Sequence, residues 1–185
     1  MTQPRGGTPL LPEIIATARL LLRPPRIDDA ASIFEGYAAD REATRYLLWT
    51  PHESRVETEA FLVSQVARQP VTLDQSWVLT RPGEDRALGM IGIEILDLAA
   101  ELGYVLAREE WRKGYMTEAA SAVTERALAV SLVQSVWAIC HLENVASARV
   151  LEKAGFVRDG VLAEHAVFPN LGAQPSDVYR YVRAR

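Results

Sequence analysis

The chain has 185 residues, of which 49% are hydrophobic and 24% charged, a composition typical of a globular domain that can bury one full core. Its 20 basic and 24 acidic side chains give a formal net charge of −4, which disfavours broad nucleic-acid binding. The longest apolar runs fall short of the roughly 18 to 20 residues that a bilayer-spanning helix requires, so we expect no membrane segment.

The beginning of the chain differs in composition from the rest. Residues 1–12 are rich in proline and glycine and lack the apolar segment of a signal peptide. We therefore expect a flexible tail over residues 1–16 and one domain over residues 17–185. Because Cys140 is the only cysteine, an internal disulfide is excluded, and a reducing cytoplasm is the expected compartment.

Apolar periodicity and turn residues predict alternating strands and helices beyond residue 17. In chain order these are a strand at 19–23, a helix that Asp28 or Asp29 caps and that runs to about Ala38 with Ile33 and Phe34 inward, a helix at 53–68, strands at 77–80 and 88–96 joined by a turn at 82–85, a strand at 101–106, a helix at 116–130, a strand at 133–140, a helix at 145–154 and a last strand at 178–182. This order indicates a mixed α/β (α+β) domain whose central sheet is mixed, largely antiparallel and flanked by helices.

The most informative segment joins the strand at 101–106 to the next helix and reads Trp-Arg-Lys-Gly-Tyr-Met-Thr-Glu-Ala at 111–119. A loop that presents successive backbone N–H groups at a helix start is an anion site. Arg112 and Lys113 add cationic donors beside it. We therefore expect a ligand phosphate or pyrophosphate here, although the usual Gly-x-x-x-x-Gly-Lys-Ser/Thr and Gly-x-Gly-x-x-Gly loops are absent from the sequence.

This segment resembles the acetyl-coenzyme A loop of the GNAT superfamily of N-acetyltransferases. In the branch that acetylates protein amino termini, the loop often reads Trp-Gly-Lys-Gly-Tyr-Ala-Thr-Glu-Ala; here Arg112 replaces a glycine and Met116 replaces a small residue. Residues 144–156 resemble a second signature of the family, Asn-x-x-Ser-x-x-x-Leu-Glu-Lys-x-Gly-Phe. The resemblance extends over about residues 17 to 183 and implies a single GNAT-type domain, nearest the ribosomal-protein amino-terminal (alanine/serine) acetyltransferase-like branch.

The resemblance implies transfer of an acetyl group from acetyl-coenzyme A to a primary amine, by direct attack in a ternary complex. The favoured acceptor is an α-amino group of a protein, a peptide or a small metabolite. The residues implied to hold the cosubstrate are Val105, Leu106, Arg112, Lys113, Gly114, Tyr115, Met116, Thr117, Asn144 and Lys153. No metal is expected, because the three histidines and one cysteine form no spaced ligand cluster.

Direct transfer requires loss of the amine proton and a proton for the departing thiolate. Glu94 and Glu101 are the predicted bases, since each lies on a strand beside the loop. The apolar neighbours of Glu94 predict that its face is partly buried or lines a cleft, which would raise its pKa. The resemblance implies that Ser147 serves the thiolate.

Other assignments remain open at this stage. Tyr104 and Tyr115 are alternative proton donors, and His141 is an alternative base or proton shuttle. Cys140 is expected to be a buried small hydrophobe instead of a nucleophile. Variable acceptor loops are expected at 40–55 and 163–176, where Trp49, Pro51 and His52 are candidate pocket residues.

Two rival functions also fit the sequence. Met116 in the small-residue position favours a non-catalytic domain that binds coenzyme A as a sensor. A different acyl donor, such as succinyl-coenzyme A, would need a cationic group near the thioester. The expected partner is an amine substrate, with neither nucleic acid nor membrane, and the chain is expected to be a monomer or a homodimer.

Overall fold

A computed structural model of the protein describes residues 11–68 and 74–185. Its strands are β1 (Ile15–Ala16), β2 (Leu21–Arg23), β3 (Asp74–Thr80), β4 (Gly89–Leu96), β5 (Ala99–Leu106), β6 (Ser135–His141), β7 (Val157–Val167) and β8 (Pro175–Ala184). Its α-helices are α1 (Ala30–Ile33), α2 (Arg55–Arg68), α3 (Tyr115–Ala129) and α4 (Val145–Lys153). None of the helices in these ranges has the length and apolar character needed to cross a bilayer.

The described strands form one sheet in the order β1-β2-β3-β4-β5-β6-β8-β7. Neighbouring strands are antiparallel except β5 and β6, which are parallel. The prediction of a mixed, largely antiparallel sheet flanked by helices is therefore confirmed.

The parallel pairing between β5 and β6 is short, which leaves a gap between the two strands. Residues 99–101 of β5 pair with residues 135–137 of β6, and the described structure records no pairing beyond them. Residues 102–106 of β5 and 138–141 of β6 therefore diverge, and we call the gap between them the split. Both strands lead from the split into loops that precede α3 and α4.

The sheet buries both of its faces, and strand alternation decides which side chain lies on which face. Alternate residues such as Ile91, Ile93 and Leu102 join the larger core with the apolar side of α3. The residues that alternate with these along the strands, such as Val78 and Met90, point to the other face and join a second core with α1. On β5, Tyr104 therefore lies on the α3 face, whereas odd-numbered residues lie on the α1 face.

Helix α3 has the predicted apolar spacing. Its buried apolar residues are at most 3% exposed and are Met116, Ala119, Ala120, Val123 and Ala127. The helix begins directly after Gly114, whose φ of +79° is a left-handed conformation that glycine adopts without a Cβ clash.

The helical segment near residue 30 differs from the prediction. A 3₁₀ turn at Ile27–Asp29 precedes α1, and a π-helical turn at Phe34–Ala38 follows it. Ile33 is 1% exposed, as predicted, whereas Phe34, also predicted to face inward, is only partly buried, and Tyr37 of the wider π turn is buried instead.

The predicted flexible tail is wrong for residues 11–16, while residues 1–10 lie outside the described part of the chain. Leu11 and Ile15 are each 3% exposed and belong to the larger core. β1 pairs with β2, and the Trp77 indole donates to the carbonyls of Pro12 and Glu13 at 3.2 and 3.1 Å. Apolar burial and these hydrogen bonds outweigh the local proline-rich composition.

The hairpin of β7 and β8 extends beyond the predicted last strand. β7 was not predicted, because it lies at the sheet edge, is mostly exposed and carries irregular pairing near residues 158–160 and 162–166. Glu164 has a φ of +47°, which bends the strand within the second irregularity.

Candidate functional site

The loop between β5 and α3 has the geometry of an anion-binding nest. Arg112 and Gly114 have positive φ angles of +64° and +79°, and no side chain caps the start of α3. The first backbone N–H groups of α3 therefore lack intrahelical acceptors and lie at the positive end of the helix dipole. This arrangement fits a phosphate or pyrophosphate.

The two predicted cations of the loop differ in their surroundings. Lys113 Nζ lies 3.0 Å from Glu110 Oε2, and Arg81 donates to both oxygens of the same carboxylate at 2.8 Å. Burial opposes ionisation of Glu110, but these cations outweigh it and lower its pKa. Arg112 is exposed and has no ion pair with any residue in 11–68 or 74–185, so it is the freer cation of the two.

Tyr115 is half-buried and Met116 is buried. Two guanidinium groups flank the Tyr115 ring, with Arg19 at 4.8 Å and Arg81 at 5.8 Å from its centroid. The Met116 side chain is 3% exposed and packs in the larger core. Its replacement of a small residue therefore leaves the loop surface unobstructed.

Glu118 in the first turn of α3 would repel an anion if it were unpaired. Thr17 Oγ1 donates to its carboxylate at 2.6 Å, and Arg19 donates through its backbone N–H at 2.8 Å and through Nε at 2.7 Å. Burial raises the pKa of Glu118, yet these donors outweigh it and the net pKa is lowered. Sequence reasoning missed the roles of Arg19 and Arg81, because each is far in sequence from the loop and belongs to no local motif.

Ser147 and Tyr104 meet beside the split. The hydroxyl oxygens of the two side chains are 2.8 Å apart, and Asn144 Oδ1 accepts the Ser147 backbone N–H at 3.1 Å. Asn144 is thus the helix cap that the sequence predicted. Burial raises the pKa of Tyr104, partly offset by the hydrogen bond with Ser147, so this hydroxyl stays protonated at neutral pH.

The remaining residues predicted to hold the cosubstrate occupy separate positions. Val105 and Leu106 lie on the part of β5 that has no recorded partner on its β6 side, where an extended ligand can pair with the backbone. The Leu106 carbonyl accepts the Trp111 indole N–H at 2.9 Å. Lys153 is exposed at the far end of α4, about 13 Å along the helix from Asn144, so the two cannot contact the same ligand group.

Glu94 and Glu101 lie directly opposite each other on β4 and β5, on the α1 face of the sheet. Asp74 lies opposite Glu94 on β3, which places three carboxylate residues in one row across the sheet. All three line a cavity of ≈ 390 Å³, together with Leu48 and others. This cavity therefore lies on the sheet face opposite to Ser147.

The two predicted bases differ in burial. Glu94 is exposed although it lines the cavity, whereas Glu101 is half-buried. The pKa of Glu101 is raised, mainly by burial and secondly by the neighbouring Glu94 carboxylate. His165 lowers this pKa but does not cancel the rise. A carboxyl group with a raised pKa is a stronger proton acceptor once it is ionised, so Glu101 is the better candidate base.

His141 and Cys140, at the end of β6, have defined partners. His141 Nδ1 accepts the Glu143 backbone N–H at 3.2 Å, so a neutral His141 carries its proton on Nε2 and is a donor there. Its ring stacks on Tyr46, with centroids 5.1 Å apart, and meets the edge of Phe168 at 5.0 Å. Cys140 is 3% exposed and burial raises its thiol pKa, as expected for an inert buried cysteine.

The two predicted acceptor loops face each other across a larger cleft of ≈ 950 Å³. Its lining residues are Ala39, Arg41, Thr50, Pro51, His52, Glu53, Glu57, Pro169 and Asn170. The His52 ring lies 5.1 Å from that of Trp49, and burial lowers the His52 pKa. Trp49 itself packs against the second core and is not among the lining residues.

Comparisons with known proteins identify the family of the chain. The family model described as "Acetyltransferase (GNAT) domain" matches residues 19–157. An uncharacterized N-acetyltransferase, YoaA of Bacillus subtilis (strain 168), is 30% identical over 175 residues, which are 93% of this chain and 98% of that protein.

Solved structures share the fold at lower identity. The ribosomal L7/L12 α-N-protein acetyltransferase RimL, in complex with coenzyme A, superposes with a TM-score of 0.80 at 18% identity, covering 93% of this chain and 98% of RimL. A spermidine N-acetyltransferase from Vibrio cholerae, in complex with coenzyme A and spermine, gives a TM-score of 0.73 at 19% identity, covering 91% and 96%. With the family model matching most of its length, the chain belongs to the GNAT family of N-acetyltransferases.

Proposed function

We propose that the protein transfers the acetyl group of acetyl-coenzyme A to an α-amino group by direct attack in a ternary complex. The observation that carries the proposal is the placement of proton-handling groups on the two sheet faces beside the split. Ser147 and Tyr104 lie on the α3 face. Glu101 lies on the α1 face and forms, with Trp137, the last residue pair that joins β5 to β6.

Each group has one role in the proposed reaction. Arg112 and the first N–H groups of α3 hold the pyrophosphate, so the acyl arm follows the unpaired part of β5 into the split. Glu101 accepts the proton of the attacking amine as the nitrogen–carbon bond forms. When the carbon–sulfur bond breaks, the Ser147 hydroxyl donates to the thiolate, and the Tyr104 hydroxyl, 2.8 Å from it, is placed to donate to the serine in turn.

The acceptor class follows from proton affinity. An α-amino group has a pKa near 8, whereas a lysine side chain has a pKa near 10.4, so far more of the α-amine is neutral at pH 7 to 8. One half-buried carboxylate is a sufficient base for an α-amino group and a poor match for a lysine side chain. RimL, with the same fold, is named as an α-N-protein acetyltransferase, which supports this choice without deciding it.

A polyamine is the second candidate acceptor. The row formed by Asp74, Glu94 and Glu101 gives the cavity a negative lining that suits a cationic chain. The fold is also that of a spermidine N-acetyltransferase.

Thiol release from acetyl-coenzyme A, measured over matched acceptors, tests the proposal. Two peptides of the same sequence would be compared. The first has a free amino terminus and an acetylated lysine, and the second has an acetylated amino terminus and a free lysine. Spermidine and free amino acids would be assayed alongside them. We expect the free amino terminus to give the highest kcat/KM. Preference for spermidine would select the second candidate, and binding of acetyl-coenzyme A without turnover of any amine would favour a non-catalytic domain. Succinyl-coenzyme A as donor tests the acyl group in the same assay.

A further inference from the structure

The loop between the π-helical turn and α2 is attached to the turn between β7 and β8 by one side chain. Asn170 Nδ2 donates to the Thr44 carbonyl at 2.7 Å and to the Trp49 carbonyl at 2.8 Å. These contacts join residues 126 and 121 positions apart in the chain. Both hydrogens of the amide group are therefore used to close the segment 44–49, which we call the tethered loop.

The tethered loop carries side chains to both sides of the acceptor region. Leu48 is 56% exposed and lines the cavity that also contains Glu94 and Glu101. Tyr46 stacks on His141 at the end of β6, beside the split. The residues that follow the loop, Thr50 to His52, line the larger cleft with Asn170 itself.

Little else in the described structure holds the two ends of this loop to the hairpin. Thr44 is fully buried, and its carbonyl also accepts the Leu47 backbone N–H at 2.9 Å, so loss of Asn170 removes one of two donors at a place where water cannot fully replace it. Leu48, in contrast, is mostly exposed, and its position cannot be fixed by its own burial. The position of Leu48 over the carboxylate row therefore depends on the backbone at each end of the loop.

From this geometry we propose that Asn170 is a positioning residue for the acceptor amine, acting through the tethered loop and not by contact with the reacting atoms. The proposal rests on the function proposed above, because it assigns the carboxylate-lined cavity to the amine. Loss of the tether moves the wall of this cavity, whereas the loop at residues 112–117, which lies on another part of the molecule, is unchanged. The amine therefore binds less well while acetyl-coenzyme A binds as before.

The test compares Asn170→Asp and Asn170→Ala with the wild type. Aspartate has the same size as asparagine but presents an oxygen to the two carbonyls, so its effect reports the lost donors and not a lost volume. We expect the KM of the amine to rise by about tenfold or more in both variants, since two hydrogen bonds are lost, with the KM of acetyl-coenzyme A changed less than twofold.

Arg185→Ala is the matched control. The Arg185 side chain makes a comparable attachment, donating to the Leu128 and Val130 carbonyls at 2.7 to 3.1 Å, but it does so at the end of α3 opposite to the cosubstrate loop. We expect this variant to lower Tm without changing the KM of the amine. If Arg185→Ala and the Asn170 variants raise this KM equally, the effect is general destabilisation and the proposal is wrong.

A second measurement separates this proposal from the proposed function. The C–H proton resonances of His141 report the Tyr46 ring stacked on it, and we expect them to shift in Asn170→Asp. If the wild type is active and the Asn170 variants keep the same KM for the amine, the positioning role is wrong and the proposed function stands. If the wild type acetylates no amine, the proposed function is wrong. In that case the His141 resonances still test the tether, which is wrong if they are unchanged in Asn170→Asp.

Discussion

At the residue scale, Ser147 and Tyr104 share one hydrogen bond, and the proposed reaction gives them one joint role. We expect Ser147→Ala to lower kcat by about 10²-fold or more, with little change in the KM of acetyl-coenzyme A, because a proton donor for the thiolate is lost. Tyr104→Phe should have a smaller effect, since in the proposed reaction the phenol acts through the serine. In the double variant the losses should not add, because the two groups serve one step. A fall in kcat of less than threefold in Ser147→Ala would assign the serine to helix packing.

Glu101 and Glu94 allow a matched pair of variants. We expect Glu101→Gln to reduce kcat/KM more at pH 7 than at pH 9, where more amine is already neutral. Glu94→Gln should have the weaker effect, because Glu94 is exposed. Equal losses at both pH values in Glu101→Gln would show that this residue binds the amine instead of deprotonating it.

The raised pKa of Glu101 also predicts a change in stability. A carboxyl group whose pKa is higher in the folded state favours folding at low pH, and this contribution is lost as the pH rises above the ordinary pKa of 4.5 and through the folded-state pKa. Glu101→Gln removes the charge that is unfavourable at pH 7. We expect its Tm at pH 7 to be higher by up to about 3 °C, because partial exposure limits the gain, and we expect the gain to vanish near pH 4. A lower Tm at pH 7 would contradict the burial argument.

Gly114 and Gly83 form a second matched pair. Both have left-handed φ angles, +79° and +80°, but Gly83 lies in the turn between β3 and β4 with open space around it. Alanine at either position should cost about 1 to 2 kcal/mol of stability through backbone strain. We expect Gly114→Ala alone to raise the KM of acetyl-coenzyme A as well. Equal KM values in both variants would exclude the nest at residues 112–114 as the pyrophosphate site.

At the element scale, the segment between β2 and α1 depends on a buried ion pair. Arg23 and Asp29 are 4% and 5% exposed, and their side chains join through two contacts of 2.6 and 2.9 Å. Asp29→Ala leaves the Arg23 charge buried without its partner, which should cost about 3 to 5 kcal/mol in the free energy of unfolding. Asp85→Ala is the control, because its pair with Arg26 is exposed and should contribute less than about 1 kcal/mol. Chemical denaturation of both variants measures the difference, and similar losses would contradict this account.

Elements with strong local signals could be predicted from the sequence, and those that depend on distant contacts could not. The apolar spacing of α3, the Asn144 cap and the loop at 111–119 were all visible locally. The edge strand β7 has little alternation between buried and exposed residues, so no pattern revealed it. The attachments made by Arg19 and Asn170 join residues about a hundred positions apart, and a single sequence contains no signal for such pairs.

At the scale of the whole molecule, three residue pairs join the two parts of the sheet, β1–β5 and β6–β8, across the strands β5 and β6. A ligand that lies in the split supplies contacts that the protein lacks there. We expect saturating acetyl-coenzyme A to slow amide hydrogen exchange at residues 102–106 and 138–141, and to raise Tm by about 5 to 10 °C at 100 times its Kd. Slowed exchange confined to residues 112–117 would show that the ligand does not enter the split.

The diverging strands have a further consequence for handling the protein. A backbone edge without a neighbouring strand can template the addition of a strand from another chain. The edges at residues 102–106 and 138–141 are such surfaces, and they face each other inside a gap that a bound ligand would fill. Preparations without coenzyme A should therefore aggregate sooner on concentration or storage, and adding the free cosubstrate should keep them monodisperse in light scattering.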